Sequence, residues 1–143
     1  MTIKKESVKK IVTKDLSGKE NGFVLELFKN KDGAKTDVYL ACIKQGTFKG
    51  YHLHKVRTGR YYCIKGKVKV ILYFGKEREE VILSAEIPER LVIPINTPNA
   101  IENIGDGDAH IINYPDPPYD PILEGEQLDF TQKQIDNNEH MNI

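Results

Sequence analysis

The chain has 143 residues with 21 basic and 21 acidic side chains, so its formal charge is zero and bulk electrostatics point to neither nucleic acid nor a membrane surface as a partner. Apolar residues make up 39% and charged residues 29%, the mixture of a soluble globular protein, and no apolar run approaches the roughly 18 residues that a membrane span needs. A chain of this length buries one core rather than two, so residues 1–143 are read as one domain whose core runs from about 22 to 130.

The basic N-terminus lacks the apolar segment of a secretory signal, which makes the cytoplasm the expected location, and residues 1–5 and 137–143 are read as frayed ends. Short β-type runs follow at 22–28, 36–43, 50–56, 60–64, 67–74, 80–84, 90–93, 100–103 and 109–114. Turn residues separate them: Lys31-Asp32-Gly33, Lys65-Gly66-Lys67 and the stretch 103–107. Within 67–70 the order is Lys-Val-Lys-Val, which puts valines on a core face and lysines on the other. No 3.6-residue apolar period is sustained before residue 120, and only 130–138 reads as a short helix. The pattern is that of an all-β sandwich or barrel. Cys42 and Cys63 lie in apolar stretches without CxxC spacing, which favours buried free thiols over a disulfide, a zinc site or a nucleophile.

Charge is unevenly placed. No acidic residue occurs between Asp37 and Glu77, a window that contains Lys44, Lys49, Lys55, Arg57, Arg60, Lys65, Lys67, Lys69 and Lys76. Where several of these converge they would suit a phosphate-bearing ligand, and where they do not they form a solvated sheet face. Acids crowd the stretch from Glu102 to Glu139.

His52 and His54 lie two apart on a predicted strand, so both rings project to one face. On the inside of a barrel such a pair binds metal, moves protons or orients a ligand, and on any other face it is a structural pair. The sequence around it resembles the first motif of the cupin superfamily: Gly46, His52, His54 and Gly66 fall on fixed positions, and Pro94 and Asn103 match the second motif. The glutamate ligand position of that motif falls on Gly59 or Thr58, and the second-motif histidine falls on Asn99. Two of the usual four metal ligands remain, so no metal and no other cofactor is assigned.

Among cupins, the run 49–55, Lys-Gly-Tyr-His-Leu-His-Lys, is similar to the R-G-x-H of dTDP-4-dehydrorhamnose 3,5-epimerases and the R-G-x-H-A-H-K of dTDP-sugar 3,4-ketoisomerases. Residues 61–68 resemble the strand, x-G turn and strand of both families. Residues 91–94 resemble their strand ending in prolines, and 113–121 an epimerase-like tail with a tyrosine and Y-x-P. The likeness spans about residues 36 to 130 and implies a cupin jelly-roll barrel with a short C-terminal helix. It also implies an isomerase of nucleotide-linked 4-keto-6-deoxyhexoses that works by proton abstraction without a metal, in deoxysugar and polysaccharide biosynthesis, as a homodimer.

Residue by residue, the resemblance makes His52 the base and His54 a relay, with Tyr114, Tyr119 or Tyr39 as the acid. Lys49, Arg57, Arg60 and Asn99 are assigned to substrate binding, Lys49 and Arg60 to its diphosphate. The 3,5-epimerases are longer and bring an acidic partner to their histidine from a C-terminal segment for which no counterpart is expected here. Two alternatives stand beside this reading: a metal-dependent cupin that recruits His110 or Glu102, and a non-catalytic cupin that binds a sugar or nucleotide.

Overall fold

The computed structural model describes residues 3–14, 17–28, 37–117 and 122–143. Two five-stranded antiparallel sheets hold the core. In the first, β1 (Lys4–Ser7), β9 (Glu89–Ile93), β6 (Gly59–Lys65), β11 (Ala109–Asn113) and β4 (Tyr39–Ile43) lie side by side in that order. The second runs β12 (Gln127–Asp129), β5 (Phe48–His54), β10 (Asn99–Asn103), β7 (Lys67–Phe74) and β8 (Glu77–Ser84). From β4 to β11 the chain changes sheet at each step except the β7–β8 hairpin, which is the jelly-roll path the cupin resemblance implies. A separate hairpin, β2 (Lys9–Lys14) with β3 (Glu20–Glu26), precedes it.

Alternation decides what fills the space between the sheets. Val68, Val70 and Leu72 of β7 meet Leu91 and Ile93 of β9 and Ile111 of β11 there, all buried. The predicted valine face of 67–70 is therefore the inner one. Lys69, on the opposite face, pairs with Glu80 and Glu102, so part of the basic window is neutralised within its own sheet.

The described residues at both ends pair or pack where fraying is expected. β1 pairs with β9 through Lys4↔Val92 to Ser7↔Glu89, and Lys5 bonds Glu89 at 2.9 Å. At the other end the helix α1 (Gln132–Asp136) is shorter than the predicted 130–138, because Thr131 and Gln134 form a reciprocal capping box that fixes its start and Asn138 turns left-handed after it. A five-residue helix has no stability of its own; it exists because Ile135 packs on Tyr51, Ile71 and Ala100 across the outer face of the second sheet. A 3₁₀ turn, Glu139–Met141, then buries His140, whose Nε2 lies 2.8 Å from the Gly75 carbonyl oxygen. β1, β2 and β12 escape the sequence reading because they are short, polar edge or hairpin strands with little apolar alternation to reveal them. The predicted turn at Lys31-Asp32-Gly33 lies outside the described residues.

One irregularity matters for the site. Between β5 and β10 the register slips: Asn99 pairs with His52 but Ala100 pairs with Gly50, leaving Tyr51 as an extra residue. The slip reverses the inside–outside phase along β5, so Tyr51 joins the outer cluster with Ala100 and Ile135 while His52 turns inward. Gly50 makes the close approach possible: a Cβ there would sit 2.5 Å from the Ala100 Cβ, and φ is +139°.

Candidate active site

His52 and His54 project between the sheets at one end of the barrel. The pairing His52↔Asn99 and Asn99↔Leu72 places both histidines on the face that carries the buried core. Their ring centroids are 5.6 Å apart. Around His54 the cavity is walled by Arg57, Tyr61, Asn99 and Asn113 and floored by Ile93, so a mostly polar lining sits directly on an apolar core. His52 borders a second cleft, opened between β5 and the segment from Asp129 to Gln134.

A carboxylate organises the first cavity. Glu126, immediately before β12, is brought to His54 by the β12–β5 pairing, and its Oε2 lies 3.1 Å from His54 Nδ1. The same oxygen accepts from Arg57 Nε at 3.2 Å, and Oε1 accepts from the backbone N–H of Arg57 at 3.1 Å and of Val56 at 3.4 Å. Burial alone would discourage ionisation of Glu126, but the hydrogen bonds from His54 and Arg57 and their charges outweigh it and hold the carboxyl below its usual range. A carboxylate against Nδ1 fixes the ring's orientation and leaves Nε2 as the nitrogen that meets a ligand. Arg57 Nη2 also approaches Nδ1 at 3.1 Å, so ring, guanidinium and carboxylate form one packed cluster.

His52 is held differently. Burial, then the neighbouring His54 ring, pushes its pKa down; Asp129, its partner across β12, opposes this and Arg57 adds to it. The net effect keeps the ring neutral, and it makes no hydrogen bond to another described residue, so both nitrogens are open to a ligand or water.

Tyr61 completes the wall. Its hydroxyl donates to Asn99 Oδ1 at 3.5 Å, a long bond, and burial pushes its pKa up to about 12 against the pull of Arg57. Asn99 is itself locked, since its Nδ2 donates to the carbonyls of His52 and Thr97.

Residues 17–124 match the family model described as the polysaccharide biosynthesis C-terminal domain. The chain belongs to that family. No curated protein matches it. Among solved structures, a dTDP sugar isomerase from Desulfovibrio desulfuricans G20 superposes with a TM-score of 0.74 at 19% identity, covering 91% of this chain and 84% of that one. A 3,4-ketoisomerase from Helicobacter canadensis gives 0.72 at 18% identity, covering 97% and 98%. The capsular polysaccharide assembling protein CapF of Staphylococcus aureus gives 0.61 at 25% identity, but this chain spans 66% of itself and only 26% of CapF. These likenesses establish the cupin-type fold for this member of the polysaccharide biosynthesis C-terminal domain family.

The other residues singled out in this member's sequence scatter. Arg60 and Tyr114 are on the outer face of the first sheet: Gly59, Tyr61 and Cys63 alternate inward on β6, so Arg60 points out. There its guanidinium stacks 4.7 Å from the Tyr114 ring, which itself stacks on Phe28 at 4.5 Å. Tyr39, aligned with Asn113 and thus on the inner face, stands at the mouth, 37% exposed, with its hydroxyl donating to Asp37. Lys49 is exposed at the start of β5. Tyr119 lies outside the described residues.

Two residues escaped the sequence reading. Glu126 gives His54, not the R-G-x-H residue His52, an acidic partner from the C-terminal part of the chain, beyond a proline-rich stretch with no pattern to single it out among the tail's acids. Tyr61 carried a signal, its alternation with Cys63, but without a motif to give it weight. The residues do not fit a cupin metal: among the described residues no three His, Cys, Asp or Glu side chains converge. His110 alternates outward between Ala109 and Ile111, and Glu102 is spent on Lys69.

Proposed function

We propose that this protein is a nucleotide-sugar isomerase that removes and returns a proton next to the ketone of a 4-keto-6-deoxyhexose, as an epimerase or a 3,4-ketoisomerase, using histidine and no metal. The observation that carries the reading is a pair of inward imidazoles at the polar end of a cupin barrel, one tied to a buried carboxylate. Solved structures with this fold support it: they include a 4-keto-6-deoxy sugar epimerase and a 3'-monoepimerase from Streptomyces as well as the isomerases.

The chemistry suits the groups. A ketone acidifies the hydrogens on adjacent carbons, so a neutral imidazole removes one and the electron pair moves onto the carbonyl oxygen. The R-G-x-H likeness gives that step to His52. The carboxylate favours the reverse assignment, His54 as the base whose positive charge Glu126 balances, and His52 as the neighbouring ring that returns the proton on the opposite face or, in a 3,4-ketoisomerisation, to carbon 4 while the hydroxyl proton of carbon 3 moves to the carbon-4 oxygen. The net reaction is an isomerisation and needs no redox partner. Incubation with dTDP-4-keto-6-deoxyglucose in deuterated water tests it: deuterium enters at carbon 3, 4 or 5, read by NMR. No incorporation from that donor or its GDP-linked counterpart rejects the proposal.

A homodimer goes with this reading, supported by the outward residues Val38 and Leu40 at the first sheet's edge, 59% and 61% exposed. A monomeric mass by light scattering at micromolar concentration rejects that part. The cytoplasm as location, and one cupin domain as the extent of the chain, belong to the same proposal.

A further inference from the structure

We propose that Tyr61 is the acid of this site, its hydroxyl leaving Asn99 to donate to the substrate's carbonyl oxygen as the neighbouring carbon loses its proton. This rests on the function proposed above and adds to it a residue that the family motifs do not mark.

Three observations place it. Tyr61 lines the same narrow cavity as His54 and Arg57, and its side chain is only 6% exposed, so the phenol is shielded from bulk water beside them. Among the described residues its hydroxyl makes one hydrogen bond, 3.5 Å long, to an Asn99 oxygen that cannot swing away because both carbonyl contacts of Nδ2 pin the amide. A weak bond to a fixed acceptor holds the hydroxyl in place and is cheap to exchange for a ligand oxygen. Third, the ring leans over Gly59: a Cβ at that position would lie 3.3 Å from Tyr61 Cε1 and 3.5 Å from Ile93 Cβ. The cupin motif's glutamate position falls on Gly59 or Thr58, and at Gly59 the Tyr61 ring stands against the place a side chain would start.

The other described tyrosines are placed elsewhere. Tyr114 stacks on the outer face, Tyr39 donates to Asp37 at the rim, and Tyr51 donates to Gln132 of α1. Tyr73 packs edge-on to Tyr51 and beside His140 in the outer cluster, and Tyr62 alternates to the outer face of β6. In the step itself, the C–H bond breaks toward histidine Nε2, its electron pair becomes the enolate, and the Tyr61 O–H donates a hydrogen bond to the oxygen that gains charge. When a histidine returns the proton to carbon, the ketone re-forms and the hydroxyl goes back to Asn99.

The test compares Tyr61→Phe with the unaltered protein on the 4-keto sugar, following kcat, KM and deuterium exchange, with dTDP binding by calorimetry as a control. Phenylalanine keeps the ring and its packing. The expected result is a fall in kcat and exchange of about 100-fold, the size of losing one donor to a developing oxyanion, with KM and dTDP affinity within about threefold. A kcat within threefold of the unaltered protein, or an equal loss of dTDP binding, overturns the assignment. If Y61F does not fold, 3-fluorotyrosine at position 61 decides, because it acidifies the phenol at nearly constant size: a displaced alkaline limb of kcat supports the role and an unchanged profile overturns it. An unaltered protein inert toward every keto sugar overturns the functional reading and this role together, whereas an active protein with an indifferent Y61F overturns Tyr61 alone.

Discussion

Arg60 and Tyr61 are consecutive residues with opposite fates. Arg60 turns out of the barrel onto Tyr114 and Phe28, making a half-buried cation–aromatic stack on the outer face, while Tyr61 turns into the cavity beside Arg57, His54 and Asn99. Both clusters pair a guanidinium with a phenol. What separates them is burial and what the cation does: Arg57 is spent on a buried carboxylate that orients an imidazole, whereas Arg60 holds a loop to a sheet through its ring stack and a 2.8 Å bond from Nε to the Tyr114 carbonyl. Residue type alone assigns both arginines to substrate; the period of a β-strand separates them.

The comparison predicts unequal consequences. Glu126→Gln keeps the shape of the inner cluster and removes its charge, and kcat is expected to fall about 100-fold in the exchange assay, because the neutral amide neither fixes the His54 tautomer nor balances an imidazolium. Activity within threefold of the unaltered protein would put the inner cluster on a par with the outer one and break the distinction. Arg60→Gln, by contrast, is expected to leave kcat and KM within about twofold and to lower the melting temperature by a few degrees, the loss of one half-buried cation–aromatic contact and of the Nε bond to the Tyr114 carbonyl, about 1–2 kcal/mol together. A large rise in KM would instead return Arg60 to the substrate.

The smallest effect is in acid. His52 has its folded pKa below the ordinary value near 6.5, so below that pH the unfolded chain binds the proton first and stability falls as pH drops toward the folded pKa. Glu126, also depressed, contributes stability that is present above its unfolded pKa and lost as pH falls further through the folded one. Melting curves between pH 7 and 5 should show His52→Asn flattening the upper part of this decline. A decline of the same slope in H52N would mean that the inner cluster does not hold His52 neutral.

Much of the barrel was legible because short β-type runs recur between turn residues, Lys67–Val70 alternates cleanly, and the turn at Gly66 stands between two strong runs. The histidine pair was legible as a pair. Its position inside was not, since that depends on the slip at Tyr51, which leaves no mark in the letters apart from Gly50. Glu126 was not legible either: it is 72 positions from His54, and only the pairing of a three-residue strand brings it there. The ends misled for a related reason, since β1 and the 3₁₀ turn are stable only through docking on surfaces formed elsewhere in the chain.

The slip at Tyr51 also affects how related sequences should be compared. A homologue that kept both histidines and their neighbours but had one residue more or fewer before them would carry the rings on the solvent side, with no functional letter altered. Counting residues against the facing strand is therefore as informative as matching the motif when transferring chemistry from one barrel of this kind to another.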